Sequence, residues 1–203
     1  KEILMKLYFS PGACSLSPHI VANEAGIPLE LVKVDLKTHK LDNGEDYYKI
    51  NPKGYVPALQ LDDGNLLTEG PAIVQYLGDL KPDSGLIPQK GFARYKVAEW
   101  LTFINGEIHK NFSPLFGDAS DPAKADARAK IVKRFDYVNG ELAGKYFLTG
   151  DAFTVADAYL FVMTTWAHHV KIDLPENLRK FFQQVSQRPA VHKAMQEEGL
   201  VKG

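Results

Sequence analysis

The 203-residue sequence predicts an α/β N-terminal domain over residues 5–80, a linker over 81–90 and an all-α helical bundle over 91–203. Three observations carry that prediction. Short apolar runs of strand length alternate with helical segments up to about residue 80. The stretch Lys81-Pro82-Asp83-Ser84-Gly85-Leu86-Ile87-Pro88-Gln89 has two prolines, a glycine and no period, as a linker does. Beyond it, apolar residues recur almost only at helical spacing.

In order, residues 5–9 form a strand and residues 15–25 a helix, with Pro18 tolerable in its first turn and Gly26 placed to stop it. Residues 29–34 are apolar and β-branched, which reads as a second strand. Residues 58–61 and 65–67 flank Asp62-Asp63-Gly64, whose Asp-Gly pair signals a tight hairpin turn. Residues 69–80 place Ile73, Val74 and Leu77 on one helical face. A right-handed βαβ unit joined to a ββα unit gives a mixed four-stranded sheet with helices packed on it. That is the thioredoxin-like plan. Residues 93–112, 123–142, 155–170 and 178–187 follow as helices, with a short last turn near 191–198. Thr154-Val155-Ala156-Asp157 reads as a capping box at the start of the third of these, a structural rather than a chemical motif.

The formal charge of −1, from 24 basic and 25 acidic residues, points to neither nucleic acid nor a membrane surface. One cysteine excludes an intrachain disulfide framework and fits a reducing compartment. No run of about 18 apolar residues offers a spanning helix, and polar residues interrupt any secretory signal, so a cytoplasmic location is expected. Met5 is expected to open the natural chain, with Lys1-Glu2-Ile3-Leu4 as an addition.

Cys14 lies in Ser10-Pro11-Gly12-Ala13-Cys14-Ser15-Leu16-Ser17, where the first strand hands over to the first helix. A helix N-terminus favours a thiolate there, while a buried, inert thiol is the plainer alternative. Val56-Pro57 enters the third strand; it is either an ordinary turn proline or a cis proline that presents Val56 to an extended peptide. Glu69 and Gly70 begin the second helix, where the carboxylate either complements the helix dipole or holds a ligand ammonium. Glu99, Thr102, Gly106 and His109 form one polar or small face of a long helix, opposite Val97, Trp100, Leu101, Ile104 and Ile108. A solvated face explains it simply, but the His109 imidazole could also donate to a sulfur anion or move a proton. His168 and His169 point to different faces, His19 reads as a packed or capping residue, and no metal-ligand spacing, phosphate loop or Gly-x-Ser-x-Gly occurs.

Together these residues resemble bacterial glutathione S-transferases of the beta class. The resemblance covers nearly the full length and rests on five segments. They are Pro11-Gly12-Ala13-Cys14-Ser15-Leu16, Asn51-Pro52-Lys53-Gly54-Tyr55-Val56-Pro57-Ala58-Leu59, Leu67-Thr68-Glu69-Gly70, His109-Lys110 and Phe153-Thr154-Val155-Ala156-Asp157-Ala158-Tyr159-Leu160-Phe161. It implies a detoxifying enzyme that activates the glutathione thiol for attack on small hydrophobic electrophiles. Glutathione is then a co-substrate, no resident cofactor or metal is needed, and the protein is a homodimer. Cys14, assisted by Ser15 and His109, would act on the glutathione sulfur, and Cys14 could also run thiol–disulfide exchange through a mixed disulfide. Val56, beside Pro57, would make the backbone pair. Glu69 and Gly70 would hold the γ-glutamyl end, and Thr102 and Gly106 would line the site from the bundle. His39 stands where relatives commonly carry a lysine facing the glycyl carboxylate, a contact that Lys37 or Lys53 could replace. Thr102 replaces a frequent asparagine, and Phe9 a tyrosine of some relatives. Apolar residues such as Phe112, Leu115, Phe116 and Trp166 would line the electrophile pocket. The alternatives are a non-catalytic glutathione-binding or regulatory member of the fold and, setting the resemblance aside, a generic thioredoxin-like redox protein.

Overall fold

Strand β1 (Lys6–Phe9) sits in the middle of a sheet of order β3-β2-β1-β4-β5. Its Leu7, Tyr8 and Phe9 are all buried, as a strand covered on both faces requires. The computed structural model describes residues 4–202, so the expectation about the first residues falls, for residues 1–3, outside them. β1 runs parallel to β2 (Glu30–Asp35) and antiparallel to β4 (Ala58–Gln60), which pairs antiparallel with β5 (Leu66–Thr68). This is the expected βαβ-ββα order with one correction: the sheet has five strands among the described residues, not four. The extra one, β3 (Lys40–Leu41), pairs Leu41 with Val34 and Lys40 with Asp35. A two-residue strand leaves no alternation to read. Its turn is set instead by the Asp35 carboxylate, which accepts the N–H groups of Lys37 and Thr38 at 2.8 and 3.3 Å.

Helix α1 (Leu16–Ala25) buries Leu16, Ile20 and Val21, and α2 (Gly70–Leu80) buries Ile73, Val74 and Leu77. Gly26 ends α1 at φ 65°, its N–H reaching Ala22 and Asn23 carbonyls, a left-handed cap that glycine takes without strain. The last helix, α8 (Pro189–Glu197), packs on α1. Arg188 grips Glu24 of α1 through two bonds, of 2.6 and 3.0 Å. The chain accordingly divides into two units: residues up to Leu86 with those from Arg188 onward, and Ile87–Gln187. The segment expected as one helical domain, 91–203, is therefore shared between the two.

In the second unit, the helix expected over 93–112 is three consecutive segments. These are α3 (Phe92–Phe103), a π-helical stretch (Ile104–His109) and α4 (Lys110–Phe116). The wider turn coincides with the only glycine of that stretch, Gly106. α5 (Asp121–Glu141), α6 (Val155–His169) and α7 (Glu176–Ser186) complete the unit. α6 is its centre, buried from Val155 through Thr164. The capping box forms: the buried Asp157 carboxylate accepts the Thr154 N–H at 2.8 Å, the Thr154 hydroxyl at 3.0 Å and the Leu148 N–H at 2.9 Å.

Candidate active site

The turn between β1 and α1 is held by its own serines. The Ser15 hydroxyl is fully buried, accepts the Ser10 N–H at 3.2 Å and donates to the Ser10 carbonyl at 3.3 Å. The Ser17 hydroxyl donates to the Cys14 carbonyl at 2.8 Å. Ser15 thus spends its hydroxyl on the turn that positions its neighbour. Cys14 is half-buried, and its thiol donates to the Val56 carbonyl at 3.2 Å.

Burial dominates the acidity of that thiol and pushes it up to about 12, against the backbone N–H groups of Cys14 and Ser15, which favour the thiolate; Glu69 adds to the rise. Of the two readings open for this residue, the buried, protonated thiol is the one favoured. The helix-terminal dipole acts in the direction expected, but desolvation outweighs it.

The Val56–Pro57 bond is cis. The loop before it is anchored by Tyr47 and Asn51, which donate to the Tyr55 carbonyl at 2.8 and 2.9 Å. Gly54 follows Lys53 at φ 71°, and a Cβ there would lie 2.6 Å from the Tyr48 ring, so both backbone conformation and space demand glycine. The His39 Nδ1–H donates to the Gly54 carbonyl at 3.2 Å, and its ring lies 4.6 Å from that of Tyr48. His39 is thereby fixed beside the Val56 loop.

Glu69, at φ 72°, starts α2, and its carbonyl accepts the N–H groups of Ala72 and Ile73 at 3.0 Å. Its carboxylate pairs with Lys53 Nζ at 2.7 Å, and the same ammonium donates to the Thr68 hydroxyl at 3.0 Å. A Cβ on Gly70 would meet Pro57 at 3.9 Å, so the start of α2 adjoins the proline. Cys14, Ser15, Val56, Pro57, Glu69 and Gly70 are thus gathered at one end of the sheet, with His39 flanking them.

On the second unit, Thr102 and Gly106 are exposed, and the Thr102 hydroxyl returns to the Ala98 carbonyl at 2.8 Å. The apolar side of that segment is as expected, with Val97, Trp100, Leu101, Ile104 and Ile108 all buried. His109 Nδ1 is hydrogen-bonded to the Tyr159 hydroxyl, which donates to Asn105 Oδ1 at 3.0 Å. Its ring meets Trp166 edge-on at 4.9 Å. Phe112 is fully buried between Phe116, Phe135 and Trp166, so it belongs to the core, whereas Phe116 stays half exposed.

Sequence reasoning missed a buttress behind the Cys14 turn. The buried Glu198 accepts the Gly12 N–H at 2.9 Å and meets His19 Nδ1 at 2.9 Å, while His19 Nε2 meets Glu197 at 2.7 Å. Burial works to raise the Glu197 carboxyl, but hydrogen bonds from Asn23 and His19 and the Lys193 charge hold it below its usual value. Two adjacent glutamates near a chain end read as solvated charge, and nothing local to them signals burial. Among the described residues, no cluster of His, Cys, Asp and Glu could hold a metal ion. No described helix is long and apolar enough to cross a membrane.

Comparison with known proteins accords with this geometry. The family model for Glutathione S-transferase, N-terminal domain, matches residues 12–80, and that for Glutathione S-transferase, C-terminal domain, matches residues 99–189. Glutathione S-transferase GstA of Escherichia coli O157:H7 is 48% identical over 200 residues, spanning 97% of this chain and 100% of that protein. The solved structure of a bacterial beta class glutathione S-transferase from Sphingomonas chungbukensis has TM-score 0.93 at 46% identity, covering 97% of this chain and 100% of its own. A sphingomonad glutathione S-transferase complexed with glutathione has TM-score 0.92 at 47% identity, again covering 97% and 100%. The chain belongs to the glutathione S-transferase family and stands with its bacterial beta-class members.

Proposed function

We propose that the protein is a glutathione transferase that binds glutathione on its first unit and activates the thiol for attack on small hydrophobic electrophiles. One observation carries the reading: a protonated Cys14 thiol faces the Val56 carbonyl at 3.2 Å beside Glu69 and the start of α2. The Glu69 carboxylate suits the ligand's ammonium, and the N–H groups opening α2 suit its α-carboxylate. Val56 offers a main-chain pair to the ligand's cysteinyl residue. His39, fixed beside the Val56 loop, suits the glycyl carboxylate, whereas Lys53 is held by Glu69 at the γ-glutamyl end. Thr102, Gly106 and His109 are assigned to ligand contact by the family resemblance.

The acid–base logic follows from Cys14. A cysteine-type thiol ordinarily ionises near pH 8.5. Cys14 ionises at about 12, so at neutral pH it keeps its proton; the hydrogen bond it gives the Val56 carbonyl turns to the incoming sulfur once the ligand's main chain takes up that carbonyl. Glutathione therefore gives up its own proton, which ends in solvent; its thiolate attacks the electrophilic carbon, the leaving group departs as an anion with the bond electrons, and the thioether is released. Ser15 contributes by keeping the turn in place. The role is detoxification in the cytoplasm, with glutathione as co-substrate and no resident cofactor; the single cysteine fits that reducing compartment. A homodimer is supported by Phe92 and Tyr95, one turn apart on α3 and 78% and 71% exposed. Thiol–disulfide exchange through Cys14 is a second, slower activity, because so little thiolate exists at neutral pH.

The test is a conjugation assay with glutathione and a generic aryl halide, together with intact mass after incubation with oxidised glutathione. Turnover is expected, with a slowly formed single adduct on Cys14. Retention on a glutathione resin with no turnover of any electrophile would instead establish a binding or regulatory protein.

A further inference from the structure

We propose that Asn105 and Tyr159 fix the tautomer of His109, holding the ring proton on Nδ1 and making Nε2 the lone-pair nitrogen. The catalytic use of that nitrogen rests on the transferase reading above; the tautomer itself does not.

The argument counts protons. A tyrosine hydroxyl has one proton to donate and oxygen lone pairs to accept with. Tyr159, 1% exposed on α6, directs its proton to Asn105 Oδ1 at 3.0 Å. The same hydroxyl is hydrogen-bonded to His109 Nδ1. With its proton committed to Asn105, the oxygen can only accept from the histidine, so Nδ1 carries the N–H. A neutral imidazole has one N–H, which makes Nε2 the basic nitrogen.

Packing keeps the ring in that orientation. Its plane stands edge-on to Tyr159, with centroids 5.8 Å apart at 86°, and to Trp166 at 4.9 Å and 78°. Asn105 and His109 both belong to the π-helical stretch Ile104–His109, and Tyr159 reaches them both from α6. Asn105 therefore governs His109 through the tyrosine, without touching the imidazole itself in this chain of bonds. A neutral histidine left to itself prefers the proton on Nε2, so the arrangement turns the ring around chemically. The proton-accepting nitrogen is then the one remote from Tyr159, the requirement for a base that takes a thiol proton at one nitrogen while anchored through the other. Asn105 and Tyr159 are positioning residues in this scheme.

The experiment is selective histidine 15N labelling of the full protein, with His109 assigned by loss of its signal in His109→Gln. In the wild type at a pH where the ring is neutral, Nδ1 is expected to be the protonated, pyrrole-type nitrogen. In Asn105→Ala the Tyr159 proton is released to His109, and the proton should move to Nε2. Tyr159→Phe removes the acceptor and should do the same; a Tm measured on each variant identifies any that fails to fold, and Asn105→Ala carries the test if Tyr159→Phe does not fold. At saturating glutathione, kcat for aryl-halide conjugation should fall by about tenfold or more in both variants, with a smaller change in KM. A wild-type ring protonated on Nε2 would overturn the proposal, as would an Nδ1–H form that persists unchanged in Asn105→Ala. The expected tautomers with undiminished kcat would uphold the tautomer assignment and remove His109 from the transferase mechanism.

Discussion

The Cys14 thiol donates to the Val56 carbonyl at 3.2 Å, and this contact joins the α1 turn to the loop that enters β4. The sulfur is therefore a committed donor with a high pKa, not a thiolate waiting for a partner.

Alkylation measures this directly. Cys14 ionises at about 12, so its modification rate by iodoacetamide should climb about tenfold per pH unit from pH 7 to 10 with no plateau. A plateau near pH 8.5–9, as for an ordinary thiol, would contradict it. The same shift has a stability consequence. Because the folded pKa lies above the unfolded value of 9.0, this contribution is intact below pH 9 and is lost as pH rises toward 12. Cys14→Ser should flatten that part of the alkaline stability profile.

Ser15 is a test of structure against chemistry. Ser15→Ala removes both hydroxyl bonds to Ser10 from a fully buried position and should lower stability by about 1–2 kcal/mol in urea unfolding. The KM for glutathione should rise while kcat at saturation changes little. A large loss of kcat at unchanged KM and Tm would make Ser15 a direct participant.

The α6 cap should be structural alone. Thr154→Ala should cost about 1 kcal/mol, whereas Asp157→Ala strips a buried acceptor from the Leu148 and Thr154 N–H groups and should cost more, about 2–4 kcal/mol. Thermal unfolding measures both, and the folded fraction should keep its kcat.

Cys14→Ala should separate two activities. Exchange with a glutathione mixed disulfide requires a sulfur at this position and should vanish; conjugation should fall by no more than about tenfold, since it loses one hydrogen bond to the thiolate. Equal loss of both would contradict the split.

Much of this was legible in the sequence where short-range chemistry decides. Asp62-Asp63-Gly64 marked the β4–β5 turn, Gly26 the end of α1 and Thr154–Asp157 the start of α6. What was hidden depends on tertiary placement. β3 is too short for periodicity, and the π-helical stretch keeps Ile104 and Ile108 at spacing an α-helix also allows. For Cys14 the sequence left a thiolate at the helix terminus and a buried thiol both open, and the depth of burial that decides between them is set by the fold. Tyr159 entered the sequence reading only as part of the segment 153–161, and only the fold shows its hydroxyl reaching Asn105 and His109.

The most direct test is ultraviolet titration of the thiolate in the glutathione complex, comparing wild type with Cys14→Ala. The account predicts that bound glutathione ionises below its ordinary value of about 8.5, that the ligand-free wild type shows no thiolate signal near neutral pH, and that the Cys14→Ala complex still shows one, shifted upward. A thiolate signal already present in the ligand-free wild type near neutral pH, and absent from Cys14→Ala, would assign the charge to Cys14 and contradict the account.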